Sequence, residues 1–354
     1  MAAKRFQSLD GLRGVCAITV LLFHCDDLFH KGPIFQHGFL AVDVFFVLSG
    51  FVIALTYEER LKNGLSLKQF IRARARRLLP TYFLGTLINI AAFVILLSAG
   101  YVAFHGYTSS LLVFAAVTTL FLIPQFLTPD NAAYPASTIA WSLFIEWIVN
   151  LMYAAGIVRF KTWALLLIVG IGWGLMTFVG YHSKYGWCVG MYQSDIFTYG
   201  MLRGMPAFCA GVVLYRWHDL PLFKRLPVIS TELLLTFWLV VAAIPTFTVT
   251  PTIDAVVVIV VTPLLIALLI RSDAKAPGFC KPLGEISYPL YASHLGIVHL
   301  AQSTPLFGLS KHPDALRALA VVVVCLGIAW ILAKLTNGTR RSRPLMAVSL
   351  TPAK

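Results

Sequence analysis

Three costly side chains stand out in the stretch Leu9–Tyr57: Arg13, His24 and Asp43, set in two apolar segments joined by a short polar loop. An ionisable group inside a membrane span costs roughly 3 kcal/mol or more, so each marks a candidate site. At ~1.5 Å rise per residue, the step from Arg13 to His24 covers roughly 16 Å, about half a bilayer core. One helix can thus hold a ligand's charge near one face and present a reactive group deeper in. A neutral imidazole takes a proton from a hydroxyl near physiological pH, which makes His24 the candidate general base; the competing reading is a structural histidine bonded to neighbouring backbone. Asp26 and Asp27 follow at once and are expected to be solvated at the outer interface. Asp43 and Glu146 are candidates to orient the imidazole and stabilise imidazolium, although Asp43 also reads as a helix-end carboxylate near a positive dipole.

The cationic candidates lie elsewhere. Arg74 and Arg77, in FIRARARRLLP, suit a phosphate clamp, because guanidinium pairs bidentately with phosphate oxygens; topology and lipid binding are the alternative. Arg13 lies within DGLRG, whose glycines let a ligand approach the backbone. Trp141, in WSLFIEWIVN with Glu146, is expected beside the substrate, as are Arg203 and His294. For His294, packing stays open as an alternative, next to a helix bent at Pro289. No P-loop, dinucleotide fingerprint, HExxH or GxSxG survives its context. Ser49-Gly50 reads as a close helix contact rather than a nucleophile.

The elements that must position these groups are transmembrane helices. The chain has 354 residues, 58% hydrophobic and 12% charged, and a mean hydropathy of +0.81; a soluble domain carries about twice that charged fraction. The net charge of +13 would point to nucleic acid in a soluble protein. Here the basic residues cluster between apolar runs, as the positive-inside rule and anionic lipid explain, so no nucleic-acid partner is expected. No small-residue cleavage site follows the first apolar run, so no signal peptide is expected. The six cysteines show no metal or redox spacing and read as inert packing residues.

The basic segment Glu58–Leu79 sets the inner face and puts the N-terminus there. If Ser109–Ile123 crossed, every later basic cluster would fall outside. At about 15 residues it is shorter than the ~20 a span needs. It is therefore expected to be re-entrant or interfacial, within an outer loop Tyr101–Ser137. The predicted fold is an all-α polytopic membrane protein of about ten transmembrane helices, both termini cytoplasmic. Residues 1–340 form the membrane-embedded domain and 341–354 a short basic tail. Arg13, Arg74 and Arg77 then lie at the inner face, and His24, Asp43, Glu146, Arg203 and His294 at mid to outer depth.

These residues fall in a recognisable order. SLDGLRG is followed by His24, with ten residues between arginine and histidine. Then come GFLAVDVFFVLSGF, FIRARARRLLPTY, WSLFIE, RGMPAFCAG and LGEISYPLYASH. With these six motifs the chain resembles acyltransferase family 3, the bacterial membrane O-acyltransferases that modify sugars and antibiotics, over nearly its whole length. The resemblance implies a cytoplasmic acyl-CoA donor (acetyl-CoA by default), no metal, and an acceptor hydroxyl, usually on a cell-surface or exported glycan or lipid-linked sugar. It marks Arg13 and His24 as the essential pair, implies roles for Asp43, Arg74, Arg77 and Glu146, and implies ten spans in the bacterial inner membrane. The chain departs from the family at Ala41, where glycine is usual, and after His294, which lacks the usual proline two residues on. The resemblance leaves acceptor, acyl length and oligomeric state open.

Two other classes compete. A secondary transporter of a small anionic solute also needs buried charges and interrupted spans, but the sequence shows no paired halves. A non-catalytic lipid-binding scaffold explains the arginines but not His24 with Asp43 and Glu146.

Overall fold

The computed structural model of the protein describes residues 5–25, 28, 34–99, 108–127, 131–245, 250–303 and 315–341. Asp26, Asp27 and the tail at 342–354 lie outside the described residues.

The chain forms helices α1 (Gln7–His24), α2 (Ala41–Lys62), α3 (Leu67–Ser98), α4 (Ser109–Leu120), α5 (Ala140–Ala155), α6 (Thr162–His182), α7 (Met201–Trp217), α8 (Pro221–Lys224), α9 (Thr231–Ala242), α10 (Thr250–Val256), α11 (Thr262–Ser272), α12 (Cys280–Ser303) and α13 (Ala315–Arg341). Five-residue π-helical segments lead into α7 and join α10 to α11. Among the described residues no strand forms, only an isolated bridge between Ala132 and Tyr192. With almost no water to bond exposed backbone, intrasegment helical hydrogen bonds satisfy it.

Among the described residues, six helical stretches are long and apolar enough to cross a membrane: Gly38–Lys62, Leu67–Ser98, Thr162–His182, Ile196–Trp217, Thr250–Lys275 and Leu316–Thr336. Helices α5 and α9 are apolar but shorter. Helices α1 and α12 are long enough but carry polar side chains such as Asp10, Arg13, His24, Glu285 and His294. Lengths and apolarity thus establish an integral membrane protein with six candidate spans. Helices α6 and α13 turn large apolar residues outward, among them Trp163, Ile171, Phe178, Leu319, Val323 and Trp330. That much exposed apolar surface is what lipid, not water, covers.

Helix α12 is the centre of the bundle, packed against α1, α3 and α13. Helix α2 packs against α7. The α2–α7 crossing depends on two glycines. A Cβ on Gly50 would land on the Phe208 carbonyl, and one on Gly211 on the Val47 carbonyl. Both obstacles are backbone, which cannot swing aside as a side chain can; small residues here let the helices touch. Gly211→Ala is therefore expected to destabilise by about 1–3 kcal/mol through overpacking, seen as a lower melting temperature in detergent, whereas Gly278→Ala, with nothing near its Cβ, should be neutral. Equal melting temperatures for the two variants would sink this account of the crossing.

Two helix boundaries bear on the site. Helix α3 runs unbroken through Pro80, so Arg74 and Arg77 ride on the spanning helix itself. Its start is set by a capping box: the Gln69 backbone N–H donates to Ser66 Oγ, and the Gln69 side chain accepts from the Ser66 N–H. Once a helix is nucleated there, an interior proline removes one hydrogen bond without ending it. Helix α1 begins at Gln7, so Asp10 and Arg13 are helical. Helix α4, like α9, has only 12 residues; it ends at Leu120, and Leu122 just beyond takes a positive φ of 57°.

Candidate active site

Two parallel helices connect the two halves of the site. Near the start of α1, Arg13 donates through Nε to Ser287 Oγ (3.2 Å) and through Nη2 to the Gly284 carbonyl (3.3 Å) of α12. At its other end, His24 meets His294 of α12, with 3.2 Å between Nδ1 and Nε2. The contacts advance together along both helices, so the chains run the same way. The expected separation of Arg13 from His24 on one helix is thus present, and α12 lies alongside it.

Around Arg13 lies a cavity of about 970 Å³. Six cationic residues line it (Arg5, Arg13, Arg74, Arg77, Lys281, Lys334) against three carboxylates (Asp10, Glu146, Glu285), a formal balance of 6 − 3 = +3. The cations come from the starts of α1 and α12, the first third of α3 and the end of α13. Asp10 accepts from Arg5 (2.5 Å) and Arg13 (2.8 Å). Glu146 Oε1 accepts from Arg74 Nη2 (3.0 Å) and from Ser49 Oγ (2.8 Å). Deeper in, the wall becomes aromatic and hydroxylic, with Phe45, Ser142 and Tyr291. Ser142 Oγ donates to the Ile139 carbonyl (3.0 Å), so its oxygen accepts from Tyr291 Oη at 2.6 Å.

His24 and His294 lie beyond this wall. Tyr291, one helical turn before His294, bridges cavity and histidines, its ring 6.0 Å from that of His294. His24 is half-buried, and its Nδ1 is also 2.9 Å from the Val20 carbonyl.

The sequence candidates therefore sort into three groups. Arg13, Arg74, Arg77 and Glu146 come together on the cavity wall. His24 and His294 come together at the far end of α1. Asp43, Arg203 and Trp141 form a packed cluster apart from both. There, Arg203 Nη2 and Nε donate to the two Asp43 oxygens at 2.5 and 3.3 Å. Arg203 also donates to the Val189 and Phe39 carbonyls and lies over the Trp141 ring at 5.2 Å. Four of its five N–H groups are thereby used, and Asp43 is fully buried.

This corrects the expectation that Asp43 or Glu146 orients His24. A buried carboxylate needs a cation that satisfies both oxygens, and a guanidinium fork does so better than an imidazole. Both carboxylates are bonded to arginines, and His294 holds His24. Of the residues expected beside a substrate, Arg203 and Trp141 are buried in the Asp43 cluster and His294 is buried against His24.

Sequence reasoning missed the Ser142–Tyr291 pair, although Tyr291 sits one turn before His294 in YPLYASH, a spacing that puts both on one helix face. It also missed a buried pair, His37 Nδ1 and Asp254 Oδ1 at 2.7 Å; nothing in the spacing could reveal a contact across 217 positions. A second pocket of about 640 Å³, where α2 and α7 end, includes Glu58. Its carboxylate is taken by Lys62, Arg216 and Tyr153, which makes it a structural knot. Cysteines are free and mostly buried. Burial raises the Cys188 thiol in the loop before α7, as expected of an unreactive thiol.

The fold and the site fit one class. The acyltransferase domain family matches residues 6–334, and the chain belongs to acyltransferase family 3, an O-acyltransferase class. It is 38% identical over 43% of its length to protein 2 of the picA locus of Rhizobium radiobacter, covering 82% of that protein. It is 33% identical over 50% of its length to the peptidoglycan O-acetyltransferase OatA of Listeria monocytogenes, covering 28% of it. With the exopolysaccharide production protein ExoZ of Rhizobium meliloti it shares 27% identity over 43% of its length and 44% of that protein's. The chain thus spans less than half the length of each of these last two relatives. No solved structure matches.

Proposed function

We propose that the protein moves an acyl group, acetyl first among candidates, from acyl-CoA to a hydroxyl of a cell-envelope or exported polysaccharide, with His24 as general base. The carrying observation is that α1 holds Arg13 in a cation-lined cavity and His24 one half-bilayer further along. The cavity's positive balance and depth suit a phosphate-rich head with a long neutral arm. Arg74, Arg77 and the lysines at the helix ends hold the phosphates, and the aromatic wall at Phe45 and Tyr291 receives the arm. Past Tyr291, His24 Nε2 takes the proton of the acceptor hydroxyl as that oxygen bonds the acyl carbon. The carbon–sulfur bond then breaks, and the same proton passes to the leaving thiolate. The relatives named for peptidoglycan and exopolysaccharide support a glycan acceptor.

Leaving α4 out on the charge rule, and counting α1, α5, α9 and α12 with the six candidate spans, makes ten crossings. With ten crossings, every basic cluster and both termini lie on the cytoplasmic side of a bacterial inner membrane, where acyl-CoA is made.

The test is incubation of the purified protein in proteoliposomes with isotope-labelled acetyl-CoA and a panel of cell-envelope glycans, read by mass spectrometry. An acetylated hydroxyl supports the proposal; solute uptake with no covalent product overturns it in favour of a transporter. In the same assay Arg77→Ala should raise the apparent KM for acetyl-CoA about tenfold, the loss of one charge-assisted contact, with little change in kcat. An unchanged KM would remove Arg77 from the donor site.

A further inference from the structure

We propose that His294 is a positioning residue: it fixes the proton of His24 on Nδ1, leaves His24 Nε2 as the basic atom, and shares the charge once that atom is protonated. The proposal rests on the reading of His24 as the base.

The argument is a count of donors and acceptors. His294 Nδ1 lies 3.0 Å from the carbonyl of Leu290 and 3.0 Å from that of Tyr291. Carbonyls only accept, so this nitrogen carries hydrogen. Were His294 Nε2 also protonated, an imidazolium would sit fully buried with no carboxylate bonded to it among the described residues, which is costly. His294 is therefore neutral, and Nε2 presents a lone pair. That lone pair faces His24 Nδ1 at 3.2 Å. The same His24 Nδ1 is 2.9 Å from the Val20 carbonyl. A nitrogen between two acceptors must be the donor, so the His24 proton is on Nδ1 and the lone pair on Nε2. His24 Nε2 makes no hydrogen bond among the described residues, as an atom awaiting a substrate hydroxyl should.

The arrangement matters most during the reaction. When His24 Nε2 takes the hydroxyl proton, the ring becomes imidazolium, and its Nδ1–H donates a charge-assisted bond to His294 Nε2, roughly twice as strong as the neutral one. The bond strengthens only as charge develops, which is the kind of interaction that raises kcat rather than lowering KM. His294 neither gains nor loses a proton; the proton leaves His24 by the Nε2 through which it came. A neutral ring thus occupies the orienting place that a carboxylate takes in a triad. Helix geometry fixes it there: Tyr291 and Leu290, whose carbonyls set the tautomer, precede His294 by three and four residues on α12.

The test compares three variants of the full chain in proteoliposomes, with acetyl-CoA as donor and de-O-acetylated exopolysaccharide mixed with soluble peptidoglycan strands as acceptor. His294→Leu removes the acceptor atom and should lower kcat about 100-fold, within the range of general-base effects, while KM for acetyl-CoA stays within about threefold. His294→Gln, whose Oε1 reaches as far as Nε2 and accepts, should recover to within about fivefold of the parent. His294→Asn is too short and should resemble leucine. Should the leucine variant fail to fold, the glutamine–asparagine contrast still decides. Equal losses in glutamine and leucine, a change confined to KM, or no loss would overturn the proposal. If His24→Ala is inactive while His294→Leu turns over normally, this inference alone fails. If His24→Ala is itself active, the base assignment fails first.

Discussion

Replacing His24 with alanine should lower acyl transfer by about 10³-fold, the middle of the range for losing a general base, with the protein still folded in the membrane. The reason is local. His24 is half-buried at the end of α1, and its ring bonds Val20 and His294 but carries no helix crossing by itself. Removal leaves His294 Nε2 without its partner, a loss of about 1–3 kcal/mol, which a bundle of this size should survive. The acceptor hydroxyl, in contrast, loses its base: the two carboxylates expected nearby are bonded to arginines, and the lone pair of His294 Nε2 lies on the far side of the His24 ring from that hydroxyl. The measurement is single-turnover transfer from labelled acetyl-CoA beside a melting curve in detergent. Acetyl-CoA should still protect the variant thermally, since Arg13 and the cavity cations are untouched. Turnover within tenfold of the parent would remove His24 from the chemistry.

Arg203→Met should destabilise the fold by about 3–5 kcal/mol, the cost of stranding a buried carboxylate. Asp43 is fully enclosed, and Arg203 satisfies both its oxygens. The double variant Asp43→Leu, Arg203→Met should recover most of that loss, since a buried ion pair replaced by apolar groups is often neutral. Some cost remains, because the Val189 and Phe39 carbonyls lose their donor. Melting temperature and monodispersity in detergent read the fold, and transfer from acetyl-CoA reads the chemistry. The outcome separates two roles for Asp43. A stable, active double variant makes the pair a strut between α2 and α7. A stable variant with kcat lost and KM retained would return Asp43 to the reaction.

Among the cavity residues the sequence was most legible where a single helix sets the geometry. Arg13 and His24 lie on α1, and the regular rise of an α-helix separates them whatever else the chain does. The clustering of Arg74 and Arg77 near the start of α3 follows from the same regularity. Glu146, expected beside His24, is instead bonded to Arg74 on the cavity wall.

Composition and apolar run length determined that the chain is helical and membrane-embedded, because an apolar run of about 20 residues satisfies its own backbone in hydrocarbon as a helix. Six ordered motifs determined the class. The rise per residue determined that one helix carries both a charge-binding and a reactive end. Tertiary structure decided who touches whom. His24 meets His294 across 270 positions, Asp43 meets Arg203 across 160, and Arg74 meets Glu146 across 72. Such choices are made by competition among buried groups. A carboxylate removed from water takes the donor that satisfies it most fully, here a guanidinium, and the imidazole is left to pair with the one group whose geometry on α12 offers it a lone pair. No spacing along a chain records that competition.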